Sequence, residues 1–265
     1  MSHRIQIDTL TTADDVKQTI RQIYGNHFLG TGVIHVTSVW RRDASTHLTI
    51  RMGPEAPVSS FDQFALSLSR ARADAIVTTG RILRQEPQLS HSLQGPGASS
   101  EGLARWRAEE LGKARPPISL VLTTGRDLDF SHPLFQMPSR TILLTDRKGG
   151  WNLESRASDA GVEVIPIDHP TPQDAIGLLR SEFGCATISI EAGPSVARQY
   201  YESPVMVDEL MLSVYCGEPL KPGARGLRQV TPEQIAALFR EPAPPFCVAD
   251  TDGRPSWEIR RYLRL

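Results

Sequence analysis

The feature that most restricts the fold is an alternation running through the middle of the chain. Short apolar runs, Asp74–Thr79, Ile118–Leu122, Thr141–Leu144, Val162–Ile165 and Ala186–Ile190, are separated by stretches with helical spacing. The stretch before the first run carries Phe61, Phe64, Ala65, Leu68 and Ala71 as one apolar stripe. A helix is expected over 101–113, and a short one between the third and fourth runs. Thr171-Pro172-Gln173-Asp174 opens another with a cap, a proline at the first helical position and a capping-box acid, and Gly184 closes it. Buried strands alternating with amphipathic helices specify a mainly parallel α/β sheet with helices on both faces.

The flanks are simpler. Thr12 and Asp15 have capping-box spacing ahead of Val16, Ile20 and Ile23, so 13–24 reads as a helix ended by Gly25. Gly32–Trp40 and Thr46–Met52 read as strands joined by the polar turn 41–44. Ser60 with Gln63 gives a second capping box, and 90–100 is rich enough in Gly, Ser and Pro to be a surface loop. Beyond 200, Val207–Val214 is a strand, Thr231 caps a short helix, and Asp252-Gly253 is the turn of a C-terminal antiparallel hairpin of 245–250 with 256–263. With no repeat and no break in composition, 46–265 is expected to form the main domain and 1–45 an N-terminal extension.

Charge and cysteine content exclude several functions. A net charge of −1 gives no electrostatic reason to expect nucleic acid or an anionic membrane as partner. The N-terminus begins no long apolar stretch. Cys185, Cys216 and Cys247 are odd in number and widely spaced, which fits a reducing cytoplasm, and none of the seven histidines forms a helical ligand pair, so no metal is expected. Asp208 and Glu209 are read as a strand edge or subunit contact, and the four tryptophans as packing residues.

Three strand ends share a chemistry. They are Thr78-Thr79-Gly80-Arg81, Thr123-Thr124-Gly125-Arg126 and Glu191-Ala192-Gly193-Pro194-Ser195. In a parallel sheet all three lie at the carboxyl edge, where α/β folds bind ligands. Hydroxyls, arginine forks and glycines that let backbone N–H groups approach closely suit a phosphate-rich ligand.

The order and spacing of Ser60-Phe61-Asp62, Arg70-Ala71-Arg72-Ala73-Asp74-Ala75-Ile76, Glu86-Pro87-Gln88-Leu89, Glu191-Ala192-Gly193-Pro194-Ser195 and Val207-Asp208-Glu209-Leu210 resemble the RibD C-terminal reductase family of riboflavin biosynthesis. The resemblance covers about residues 46–263 and implies a dihydrofolate-reductase-like fold, a homodimer and an NADPH-dependent phosphoribosylaminouracil reductase-like activity. It implies that Gly193, Pro194 and Ser195 meet the NADPH pyrophosphate, that Thr79, Gly80 and Arg81 contact the adenosine phosphates, and that Thr123 and Thr124 hold the adenosine ribose or its 2′-phosphate. Glu191 and Leu89 fall at positions that contact a small heterocyclic, pyrimidine- or pteridine-like substrate.

Glu191 and Asp62 are the candidates for polarising or protonating that substrate. Each also has a structural alternative, Glu191 as a turn partner and Asp62 as a first-turn acid on the helix dipole. Two departures bear on function. Where the family carries a Ser-Leu-Asp-Gly pocket loop, this chain reads Thr49 to Pro57, and where it carries a substrate-gripping arginine after Leu89, this chain has Ser90, His91 and Ser92. A non-catalytic nucleotide-binding or assembly module is therefore the alternative. A Rossmann enzyme fits less well, because no Gly-x-Gly-x-x-Gly opens the first parallel unit.

Overall fold

The computed structural model describes residues 5–25, 30–93, 99–126, 128–228, 231–249 and 255–265. In chain order, α1 (Ala13–Tyr24) leads into the hairpin β1 (Gly32–Asp43) and β2 (Thr46–Ile50), then α2 (Ser60–Arg72), β3 (Ala75–Thr79), α3 (Gly80–Gln85) and α4 (Ser99–Leu111). Next come β4 (Ile118–Leu122), β5 (Thr141–Thr145), α5 (Arg147–Asp159), β6 (Glu163–Pro166), α6 (Pro172–Ser181), β7 (Thr187–Ile190) and α7 (Pro194–Ala197). The chain finishes with β8 (Glu209–Tyr215), β9 (Arg225–Arg228), α8 (Pro232–Leu238), β10 (Phe239–Arg240), β11 (Phe246–Ala249) and β12 (Pro255–Arg264).

All these strands join one sheet, ordered β10-β12-β8-β1-β7-β3-β4-β5-β6, with β11 on β12, and β2 and then β9 built outward from β1. From β8 to β6 every neighbour is parallel. β12 closes the other side antiparallel on β8. β11 and β12 pair antiparallel as the hairpin signal predicts, while its Asp252-Gly253 turn lies outside the described residues.

Side-chain alternation sends the strands into two cores. Val33, Leu120, Leu210 and Leu212 pack with Ala175, Ile176 and Leu179 of α6 on one face. Ile34 and Met211 pack on the other with Val16 and Ile20 of α1, Phe64 and Leu68 of α2, and Leu103 and Trp106 of α4. Val121 and Leu143 meet Leu153 and Ala157 of α5 on that second side.

Four expectations need correction. The boundary at residue 45 cuts through a continuous hairpin: β1 is a central strand, parallel to both β7 and β8, so 32–43 belongs to the same body as the rest of the sheet. The cap of α2 is Ser59, whose hydroxyl accepts from the Asp62 N–H at 3.4 Å, one residue earlier than the Ser60–Gln63 reading. Glu209 is no edge residue. It is buried, with two guanidiniums on it, Arg72 at 2.8 Å and Arg261 at 3.0 Å. Trp40, Trp106 and Trp257 are buried as packing residues, but Trp151 is 83% exposed on α5.

Candidate functional site

The parallel strands all end on one rim, and along it runs a cavity of about 930 Å³. That is near the upper end for small-molecule sites. Its walls run in the sheet's own order, from β1 and β2 through β7, β3 and β4 to the residues just after β5 and β6.

The middle of the cavity is built from β7 and the helix α2 beneath it. Glu191 comes directly after β7, and its N–H donates to the Val77 carbonyl at 2.8 Å while its own carbonyl accepts from the Thr78 hydroxyl at 3.0 Å. Arg70, in the last turn of α2, grips its carboxylate with both arms, Nε to Oε1 at 2.8 Å and Nη2 to Oε2 at 2.7 Å. The third arm of Arg70 donates to the Ser92 carbonyl at 3.1 Å. Burial alone would raise the Glu191 carboxyl, but the Arg70 fork and nearby His91 hold it below the usual carboxylate range. Glu191 is thus a fixed anion on the wall rather than a store of protons.

Glu86, at the end of α3, behaves oppositely. It lines the same cavity, its carboxyl has no hydrogen-bond partner among the described residues, and burial together with the Glu191 charge pushes its pKa up, with Arg70 opposing. The site therefore holds two carboxyls driven in opposite directions, the arrangement that separates an acid from an anion. Asp62 is a less suitable proton donor than Glu86. Burial raises it and the Ser38 hydroxyl, donating at 2.6 Å, lowers it, but Ser38 rather than Asp62 forms the cavity wall.

On the β1 and β2 side, Val36, Ile50, Met52, Leu66 and Leu227 give the chamber apolar walls. Part of them comes from residues 49–52, all of which line the cavity, and the Thr49 hydroxyl donates to the Leu227 carbonyl at 3.1 Å. Leu89 lines the wall too. Arg51 is exposed at the rim, and His91 is buried, its Nδ1 sharing a hydrogen bond of 2.8 Å with the Ser119 hydroxyl. Burial lowers the His91 pKa to about 4.

On the other side, Thr79, Arg81, Thr123 and Thr124, together with Gly193, Pro194 and Ser195 of the β7–α7 turn, reach the cavity. Thr79 caps α3 through the Ile82 N–H at 3.3 Å, and Thr123 accepts from the Gly125 N–H at 3.1 Å. Gly80 is the exception among these candidates. A Cβ there would stand 2.6 Å from the Thr123 hydroxyl, so its glycine serves the packing of α3 on β4 and it lies off the cavity wall. Sequence reasoning missed Asp146, His169 and Pro170, which close this end. The signal that could have found Asp146 is its place directly after a buried strand, the same feature that marks the other three strand ends.

Among the described residues no cluster of acids, histidines or cysteines could hold a metal, and no helix is long and apolar enough to cross a membrane.

Fold and cleft together define an α/β protein of dihydrofolate-reductase-like architecture, with its ligand cavity on the carboxyl rim of the parallel strands. Among solved structures it is similar to a pyrimidine reductase-like protein from Corynebacterium diphtheriae, with a TM-score of 0.64 and 21% identity over 93% of this chain and 98% of that one. It is similar to RibD from Acinetobacter baumannii, with a TM-score of 0.60 and 15% identity over 90% of this chain; the match spans 59% of that longer chain. The riboflavin biosynthesis reductase Rib7 of Saccharomyces cerevisiae aligns with a TM-score of 0.55 and 12% identity over 95% of this chain and all of that one. Neither a family model nor a curated protein matches the sequence. The likeness establishes the RibD-type reductase fold.

Proposed function

We propose that this chain is a nicotinamide-dinucleotide-dependent reductase of a pyrimidine- or pteridine-like heterocycle. One juxtaposition carries the reading. A single cavity joins an apolar chamber, holding Glu86 and the Glu191–Arg70 pair, to a rim of hydroxyls and arginines.

The donor set fits a dinucleotide. Arg81 and Arg84 both line the cavity, and guanidinium forks match phosphate oxygens. Thr124 is exposed beside them, and a Cβ at Gly193 would find only Ile82 within 4 Å, at 3.6 Å, so that turn is open. A bound nicotinamide would supply the hydride.

The chain's own residues orient the acceptor and move the proton. Val36, Leu66 and Leu227 press on a flat ring and exclude water, which strengthens every polar contact inside. Glu191 keeps lone pairs beyond those taken by Arg70 and accepts from substrate N–H groups. Glu86 delivers a proton from its carboxyl oxygen as the ring becomes anionic. The proposal includes a cytoplasmic homodimer, as the resemblance implies, for which light scattering of the pure protein is the check.

The test is to mix the protein with NADH or NADPH and a panel of pyrimidines, pteridines and folates, monitoring cofactor binding by calorimetry and turnover by nicotinamide absorbance. Steady oxidation with one class supports the reductase. Binding with no oxidation across the panel points to a nucleotide-binding module instead, and no binding at millimolar nucleotide ends the proposal.

A further inference from the structure

We infer that Asp146 makes the adenosine end of this cavity a site for a free ribose diol, so that NADH is preferred over NADPH; this rests on the proposed dinucleotide site. The chamber with Glu86 and Glu191 lies by β7, so the far end of a bound dinucleotide extends toward β5. Three interstrand steps separate β7 from β5 in the sheet, about 14 Å. That is comparable with the ribose-to-ribose span of an extended dinucleotide.

Asp146 stands directly after β5 and lines the cavity there with Thr124 and His169. Its Oδ1 accepts from the Gly149 N–H at 2.6 Å and caps α5, which fixes the carboxylate in place. The neighbouring loop is fixed as well, because Gly125 and Gly149 pack so closely that a Cβ on Gly125 would lie 2.5 Å from the Gly149 Cα. A rigid carboxylate at a strand end accepts hydrogen bonds from a ribose 2′-hydroxyl and repels a phosphate in the same place. The start of α5, otherwise attractive to phosphate, already carries the protein's own anion.

The nearby cations do not offset this charge. Arg147 pairs with Asp168 at 2.6 Å and is not among the cavity-lining residues, and Arg84 lies in α3 with Arg81, after β3 rather than β5. Arg126 and Lys148 are not among the cavity-lining residues, and Arg81 belongs to α3, after β3, nearer the expected pyrophosphate. His169 lines the cavity, but an imidazole supplies no permanent charge.

Calorimetric titration of the full chain with NADH and with NADPH at pH 8 tests the assignment. Wild type should bind NADH at least tenfold more tightly. Asp146→Asn keeps a capping oxygen on α5 and removes the charge, and should shift the affinity ratio at least tenfold toward NADPH. Thr124→Arg leaves the cap untouched and should raise NADPH affinity by adding a cation beside the ribose. Melting without nucleotide checks that both variants fold. NADPH bound as tightly as NADH by wild type, or a ratio unmoved in both variants, overturns the assignment of Asp146 while leaving the dinucleotide site standing. Failure of both nucleotides to bind overturns the site and the preference together.

Discussion

Arg70 and Glu191 are each almost completely buried, so neither charge tolerates loss of its partner. Arg70→Ala leaves an uncompensated carboxylate at the centre of the cavity and should cost about 3–5 kcal/mol in denaturant unfolding. Arg70→Met paired with Glu191→Leu should cost less, because both charges leave together. Glu86 makes a different prediction, since its raised pKa supplies a proton donor that works below that pKa and fails above it. Glu86→Gln should lower kcat by about 10²-fold or more and remove the alkaline limb of the pH–rate profile. A variant that keeps that limb would assign the proton to another group. The strand-end logic makes Glu191 visible in the sequence, but its partner lies 121 positions earlier, where Arg70 belongs to a motif of the resemblance and nothing local pairs it with Glu191. Glu86 sits in the Glu-Pro-Gln-Leu motif, yet its role depends on the Glu191 charge facing the same cavity, which only the fold supplies.

At the scale of elements, period and caps were readable because they are local. The capping boxes of α1 and α6 form as read and the Thr231 cap of α8 proves to be a third, with Thr12, Thr171 and Thr231 each exchanging hydrogen bonds with the residue three places on. Local patterns do not record sheet order, so β1 looked like an appendage although it lies between β7 and β8. Asp74 shows what was hidden: its side chain accepts from the Ala186 and Thr187 N–H groups at 3.1 and 2.8 Å, aligning β7 with β3 from far along the chain. The contact of the β4–α5 region is equally non-local and gives a prediction. Gly125 has a left-handed backbone, φ 74°, and no room for a Cβ against Gly149. Gly125→Ala should destabilise the protein by roughly 1–3 kcal/mol and weaken nucleotide affinity through Thr124, while a substrate held at the β1–β2 end binds as before. Thermal melting and separate titrations of the two ligands distinguish these effects.

The whole molecule is a sheet with a core on each side, and each side contains a buried neutral histidine. His35 shares a hydrogen bond of 2.6 Å with the Tyr201 hydroxyl on one face, and His91 meets Ser119 on the other. Burial lowers both to about pKa 4 from the 6.5 of an ordinary imidazole. The folded protein therefore binds fewer protons than the unfolded chain between these values, so stability is complete above about pH 6.5 and falls as pH drops toward 4. Each histidine contributes up to about 3 kcal/mol to that loss. Glu191 and Glu209, both held below the usual carboxylate range by their arginines once burial is overcome, add their loss only at lower pH, below about 4.3. Acid unfolding should therefore proceed in two stages, histidines first. Urea midpoints measured stepwise from pH 7.5 to 4.5 should decline in wild type and decline much less in a His35→Gln, His91→Gln variant, even if that variant starts lower. An equally steep decline in both proteins would remove the histidines as the cause and assign the loss to other groups that titrate between pH 7.5 and 4.5.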